Sequence, residues 1–221
     1  MKFPNAFAGL KKVFIAEILA LIASAATLLA LFFGVLLVKS AEEGSATGGV
    51  ASLSATAIFG IAAAVLAIIA LVYKILGLNA GQKDEPMFKY ALYFTYVELF
   101  SAVIKGIFTA IGRTGDTVYH IADISASVAG ILAIYYVITG IMSLAEKLGN
   151  EPVKKRGSQL LYFILGILVL QLIASILGSF ALTDTAGNIV NIVAAVLSIV
   201  QIVLYVLYIN TGKKIVGEAT E

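Results

Sequence analysis

The sequence predicts an all-α membrane protein built from six transmembrane helices, and three observations carry that prediction. Of the 221 residues, 61% are hydrophobic and only 13% are charged, about half the charged share of an ordinary soluble domain. Mean hydropathy is +1.02. Apolar runs near or above the length of about 18 residues needed to cross a bilayer recur at about 13–38, 50–73, 90–111, 121–144, 160–182 and 189–209. The third observation is where the bases fall. Lys2, Lys11 and Lys12 precede the first run, and Lys74, Lys83 and Lys89 lie between the second and third. Lys147, Lys154, Lys155 and Arg156 lie between the fourth and fifth, and Lys213 and Lys214 follow the sixth. Lys39 and Arg113 stand on the other side, and Lys105 lies within the third run. By the positive-inside rule both termini are cytoplasmic. The chain reads as one polytopic domain, 1–221, with no soluble domain.

Each run has its own marks. The first is too long for the apolar core of a signal peptide, and Glu17 sits near its start, so it reads as a retained span. One side of it carries Glu17, Ala20, Ser24 and Thr27; the second run carries Thr56, Gly60, Ala64 and Ala67. In the third run the sorting is sharpest. Positions three and four apart share a helix face, and one face takes Ala91, Thr95, Glu98, Ser101 and Ala102, Lys105 and Thr109, ending at Gly112. The opposite side takes Leu92, Leu99, Val103, Ile107 and Ile111. The fourth run begins with Asp123, Ala126, Ser127 and Gly130. The fifth lines up Gln171, Ala174, Ser175 and Gly178, and the sixth Asn191, Ala194, Ser198, Gln201 and Tyr205. Lipid supplies no hydrophobic drive for helix association, so small residues at such spacing mark seams where backbones approach.

Two sets of marks repeat. Pro4, Pro86 and Pro152 each precede an odd-numbered run, where a proline suits the first helical turn because its missing N–H would be unpaired anyway. The even-numbered runs close on Tyr73-x-x-x-Gly77, Tyr136-x-x-x-Gly140 and Tyr208-x-x-x-Gly212. The tyrosine is expected at the headgroup level and the glycine at or near the end of the helix. Together the marks suggest three copies of one helical hairpin, with Glu17 and Glu98 at matching positions and either Gly166 or Gln171 as the third counterpart. A six-helix, three-hairpin format resembles that of the mitochondrial carriers, whose Pro-x-[Asp/Glu]-x-x-[Lys/Arg] signature is absent here. Ala16-x-x-x-Ala20 resembles the small-residue spacing on the first helix of the substrate-binding subunits of energy-coupling-factor transporters.

The charges inside the third run need a physical reason. A charge at mid-bilayer costs between about 2.5 and more than 10 kcal/mol, depending on the reference. Glu98 lies about 12 Å from the cytoplasmic end of its span and Lys105 about 10 Å further along the same face. Three readings stay open: a structural pair, linked through Ser101 or reaching other helices; a hydrated cavity for a solute or ion; or each group reaching its own interface, with Glu98 protonated. Glu17 lies within reach of Lys11 and Lys12, which suits a paired or solvated role. His120, Asp116 and Asp123 fit an exposed loop.

Composition narrows the function. Without cysteine and with one histidine, the chain has no thiol nucleophile, disulfide framework, thiolate metal site or bis-histidine haem. No GxSxG elbow, HExxH helix, Walker loop or pair of intramembrane aspartates occurs. Neither an enzyme nor a cofactor or metal is expected. The VKKRG stretch at 153–157 is an ordinary positive loop rather than a nucleic-acid patch. The remaining reading is a small-solute or ion transporter, or a membrane subunit of a transport system. Its internal site would be lined by Thr95, Glu98, Ser101 and Lys105, with Glu17, Gln171 and Gln201 as further candidates. The alternative is a non-transporting scaffold or regulatory subunit packed against other membrane proteins. The partners expected are the bilayer, a second copy or another membrane protein, and a small solute or ion. Short loops and the lack of an Asn-x-Ser/Thr acceptor suit a bacterial plasma membrane.

Overall fold

The computed structural model describes residues 2–42, 46–179 and 184–219, with side chains placed for 2–39, 50–167 and 200–219. It contains the α-helices α1 (Pro4–Glu42), α2 (Ala46–Gly81), α3 (Met87–Ala110), α4 (Thr117–Lys147), α5 (Glu151–Ser179) and α6 (Asp184–Glu218). No strand occurs among the described residues. Among those residues four stretches are long and apolar enough to cross a bilayer: Pro4–Lys39, Val50–Gly81, Met87–Ala110 and Thr117–Lys147. Large apolar side chains along them, including Leu28, Val35, Ile61, Phe100 and Ile124, are exposed. Apolar surface on this scale is untenable in water, and hydrocarbon suits it.

The helices run past the apolar stretches that announce them. A helix satisfies its own backbone groups, so the edge of hydrophobicity is no reason to stop; a specific stop signal is. Two such signals are glycines with φ +70°, Gly112 and Gly149. After α3, the Arg113 N–H reaches back to the Phe108 carbonyl at 2.8 Å; after α4, the Asn150 N–H reaches the Ala145 carbonyl at 2.8 Å. Both are Schellman closures, which need a left-handed residue at the glycine position. The prolines sit at the starts, as expected: Pro4 opens α1, Pro86 is the cap position before α3, and Pro152 is the second residue of α5.

The Tyr-x-x-x-Gly glycines do something other than what their position suggests. Gly77, Gly140 and Gly212 lie inside their helices. A Cβ at Gly140 would meet the Phe88 ring at 2.9 Å, and one at Gly212 would meet Ile141 at 2.7 Å. The Gly77 carbonyl oxygen lies 2.5 Å from where a Gly9 Cβ would stand. These glycines are contact points between helices rather than helix ends. Tyr208 also departs from the interfacial role: it is buried, and its hydroxyl donates to the Val153 carbonyl at 3.2 Å.

The chain divides into two compact units, Met1–Lys11 with Gly77–Glu221, and Lys12–Leu76. In the first, α3 packs on α4, α4 on α5 and α6, and α5 on α6. Its core lies where the start of α1 and the end of α2 meet the start of α3, the end of α4 and the end of α6. Leu10, Leu78, Phe88, Ile141, Leu144 and Val216 are fully buried there. The second unit is an antiparallel pair of helix lengths, with Phe33 stacked on Phe59 at 5.7 Å and Glu17 beside Lys74. Its buried residues, Val13, Ala16 and Ala23 on α1 and Ser52, Ala63 and Ala70 on α2, form different stripes from those the small-residue spacing suggests. Ser24, Thr27, Gly60 and Ala64 are exposed, and nothing lies within 4 Å of a Cβ built at Gly60.

Candidate functional site

α3 and α4 are joined by the turn at 111–116 and run antiparallel, so contacts between them fall symmetrically about that turn. Phe88 meets Gly140, Phe94 stacks on Tyr136 at 5.6 Å, Glu98 meets Gly130, and Lys105 meets Asp123. The α3 face turned toward α4 is the polar one expected from spacing. Ala91, Thr95 and Ser101 are buried, Glu98 and Lys105 half-buried, and Val103, Ile107 and Ile111 exposed. The departures are Leu92, which is buried, Leu99, which is half-buried like Glu98, and Ala102, Thr109 and Gly112, which are exposed. The start of α3 is covered from two sides, since the Phe88 ring lies against both Gly81 and Gly140.

The charges do not pair as their spacing along the chain suggests. Lys105 donates to the Asp123 carboxylate and also lies 5.8 Å from the centre of the Tyr119 ring. Glu98 is not its partner. Asp123, which the sequence places in an exposed loop, is half-buried in α4 instead. Glu17 pairs across its hairpin with Lys74 at 3.4 Å rather than with Lys11 or Lys12. The helix register accounts for this, because Glu17 and Lys74 lie within one helical turn of equal distance from the connection between α1 and α2. No hydrogen bond or ion pair joins Glu98 to another described residue. A Cβ at Gly130 would stand 3.3 Å from its Oε1, so a side chain on α4 would crowd the carboxylate, and glycine leaves it room.

The hydroxyls on these helices are less informative than they look. Thr95 donates to the Ala91 carbonyl at 2.9 Å, Thr109 to Lys105 at 2.9 Å, Ser24 to Ala20 at 2.9 Å and Ser127 to Asp123 at 3.0 Å. A hydroxyl bonded to the carbonyl four residues back satisfies itself without water. Thr95 therefore sits on the face without requiring it to be wet. Gln201 is half-buried on α6, and among the described residues no contact joins it to the α3 face. The Gln171 side chain lies outside the described residues.

Sequence reasoning passed over the most buried carboxylate among the described residues. Glu85, in the α2–α3 turn, is only 3% exposed at its side chain. It accepts hydrogen bonds from Ser143 Oγ at 2.7 Å and Lys147 Nζ at 2.6 Å, both on α4, and from the Met87 N–H at 3.3 Å. Its neighbour Asp84 accepts from Asn5 Nδ2 at 2.9 Å and from the Ala6 N–H at 2.8 Å, capping α1 from a distance in sequence. The Asp84-Glu85-Pro86 turn thus clamps the start of α1 and the end of α4. The available signal was a carboxylate just before a helix-opening proline, where it can accept a free N–H of the first turn. At the corresponding place before α5, the Asn150 side chain accepts from the Val153 N–H at 3.2 Å. Lys154 donates to Glu146 at 2.9 Å, a bond that raises its pKa above the ordinary lysine value. In so exposed a place the pair adds little stability.

Neither a family model, nor a curated protein, nor a solved structure matches this chain. The functional reading therefore rests on the arrangement of these side chains.

Proposed function

We propose that the chain is a six-span integral membrane protein of a bacterial plasma membrane that moves a small solute or ion. Both termini are cytoplasmic in this reading, and α5 and α6 cross the bilayer with the other four helices. One observation carries it. Glu17 and Asp123 are each held by a lysine, whereas Glu98, on the buried face of α3 opposite Gly130, has no partner among the described residues. A carboxylate within a bilayer costs too much to leave idle, and one without a fixed countercharge can receive a mobile proton or cation. The neighbouring Lys105–Asp123 pair is then structural and sets the register of α3 on α4.

The test is flux through the reconstituted protein. In liposomes carrying a potassium diffusion potential and an internal pH dye, the wild type should take up protons faster than protein-free vesicles. Glu98→Gln should fall to the protein-free rate. The substitution removes no hydrogen bond among the described residues, so its thermal stability should match the wild type.

A second reading, a scaffold or regulatory component packed against other membrane proteins, is favoured by the outward small residues of α2. Gly60, Ala64 and Ala67 are exposed and offer a surface a second copy or another helix could approach closely. Identical flux in the wild type and Glu98→Gln, with both proteins folded, would favour this reading over transport.

A further inference from the structure

Where α5 packs on α6 an open groove of about 400 Å³ runs between them. Its walls are Leu160 and Phe163 from α5 and Leu204 and Leu207 from α6, and at one end stand Arg156, Gln159 and Thr211. From Arg156 to Phe163, and from Thr211 back to Leu204, the groove follows each helix for about 10 Å. Tyr208 lies in its lining with its hydroxyl committed to the Val153 carbonyl. The polar end is also the basic end. Lys155 precedes Arg156, and Lys214 lies one turn beyond Thr211; both are exposed. The nearby carboxylates are already engaged, since Lys154 lies 2.9 Å from Glu146 and 4.0 Å from Glu151. Arg156 has no carboxylate partner among the described residues. A guanidinium free of a carboxylate partner suits a phosphate, which it can bind through two parallel hydrogen bonds. The apolar length below it suits hydrocarbon.

We propose that this groove is a binding site for an anionic phospholipid, its phosphate at Arg156 and one acyl chain between Phe163 and Leu207. Arg156, Lys155 and Lys214 together set the positive field that favours a net negative headgroup over a zwitterionic one. The site rests on α5 and α6 crossing the bilayer, as proposed above, and is independent of whether the protein transports anything.

The experiment is native mass spectrometry of the full chain in mild detergent with equal amounts of phosphatidylglycerol and phosphatidylcholine. The wild type should retain phosphatidylglycerol preferentially. Arg156→Gln, at an exposed position, should lower that preference about fivefold, the worth of one basic group near an anionic headgroup. Leu207→Trp, which fills the groove, should lower retention of both lipids, while Arg113→Gln in the α3–α4 turn should change neither. Equal retention of the two lipids by the wild type would overturn the site, as would an unchanged preference in Arg156→Gln. Release of the protein from membranes by alkaline carbonate would instead overturn the membrane reading beneath it, so the two failures are distinguishable.

Discussion

Lys147→Met is expected to cost about 3 kcal/mol of stability, the low end of the range for removing one partner of a buried ion pair, because the lysine itself is partly exposed. The reason is an asymmetry in exposure. Glu85 is 3% exposed and Lys147 is 44% exposed. Without Lys147 the carboxylate stays sealed in the turn with only Ser143 and the Met87 N–H to hold it. In Glu85→Gln the lysine can turn to water instead, and the loss is that of a charge-assisted hydrogen bond, about 1.5–3 kcal/mol. The double variant should recover much of the Lys147→Met loss, because it leaves no uncompensated charge. Thermal unfolding of the three variants in one detergent measures all of this. Equal and small shifts in both single variants would show that the turn is not clamped through Glu85.

Gly9→Ala is expected to have the next largest effect. A Cβ at Gly9 would lie 2.5 Å from the Gly77 carbonyl oxygen and 2.8 Å from the Gly81 nitrogen. These are backbone atoms and cannot rotate aside. The start of α1 must move off the end of α2, and overpacking of this kind costs about 1–3 kcal/mol even where side chains can adjust. Gly60→Ala makes the useful contrast. Nothing stands near its Cβ, and the change should be neutral or stabilising by up to about 1 kcal/mol through helix propensity. The comparison reads directly in thermal unfolding, and equal shifts at the two glycines would mean the helix contacts are wrongly assigned.

Gly9 and Gly60 also show where sequence reading stops. Both are glycines in an apolar context, and only the neighbour's identity separates a contact point from an open face. The all-helical class and the long apolar helices were legible because run length and hydropathy are properties of the chain alone, and the prolines marked helix starts for the same reason. The polar face of α3 was legible because strong polarity at helical spacing needs no knowledge of the partner. The inward stripes of α1 and α2 were not, since those helices are apolar all round and their composition does not single out Ala16 and Ala23 over Ala20 and Ser24. Charge pairing failed for a related reason. Lys105 and Asp123, like Glu17 and Lys74, meet only once the hairpin register is fixed. Glu85 was hidden by its place in a turn, where exposure is the ordinary expectation, while Asp84 beside it binds α1 and draws the turn inward.

Glu98 differs from Glu17, Glu85 and Asp123 in having no lysine beside it among the described residues, and a hydrophobic carbodiimide reads that difference. Such reagents reach the bilayer interior and react with carboxyl groups that can take up a proton there. Membranes containing the protein would be treated at neutral pH, and the labelled residues located by peptide mass spectrometry. The result expected is modification at Glu98, with Glu17, Glu85 and Asp123 protected by Lys74, Lys147 and Lys105. Labelling spread evenly over all four carboxylates, or absent from Glu98 alone, would show that Glu98 is not the proton-accepting group of the helices.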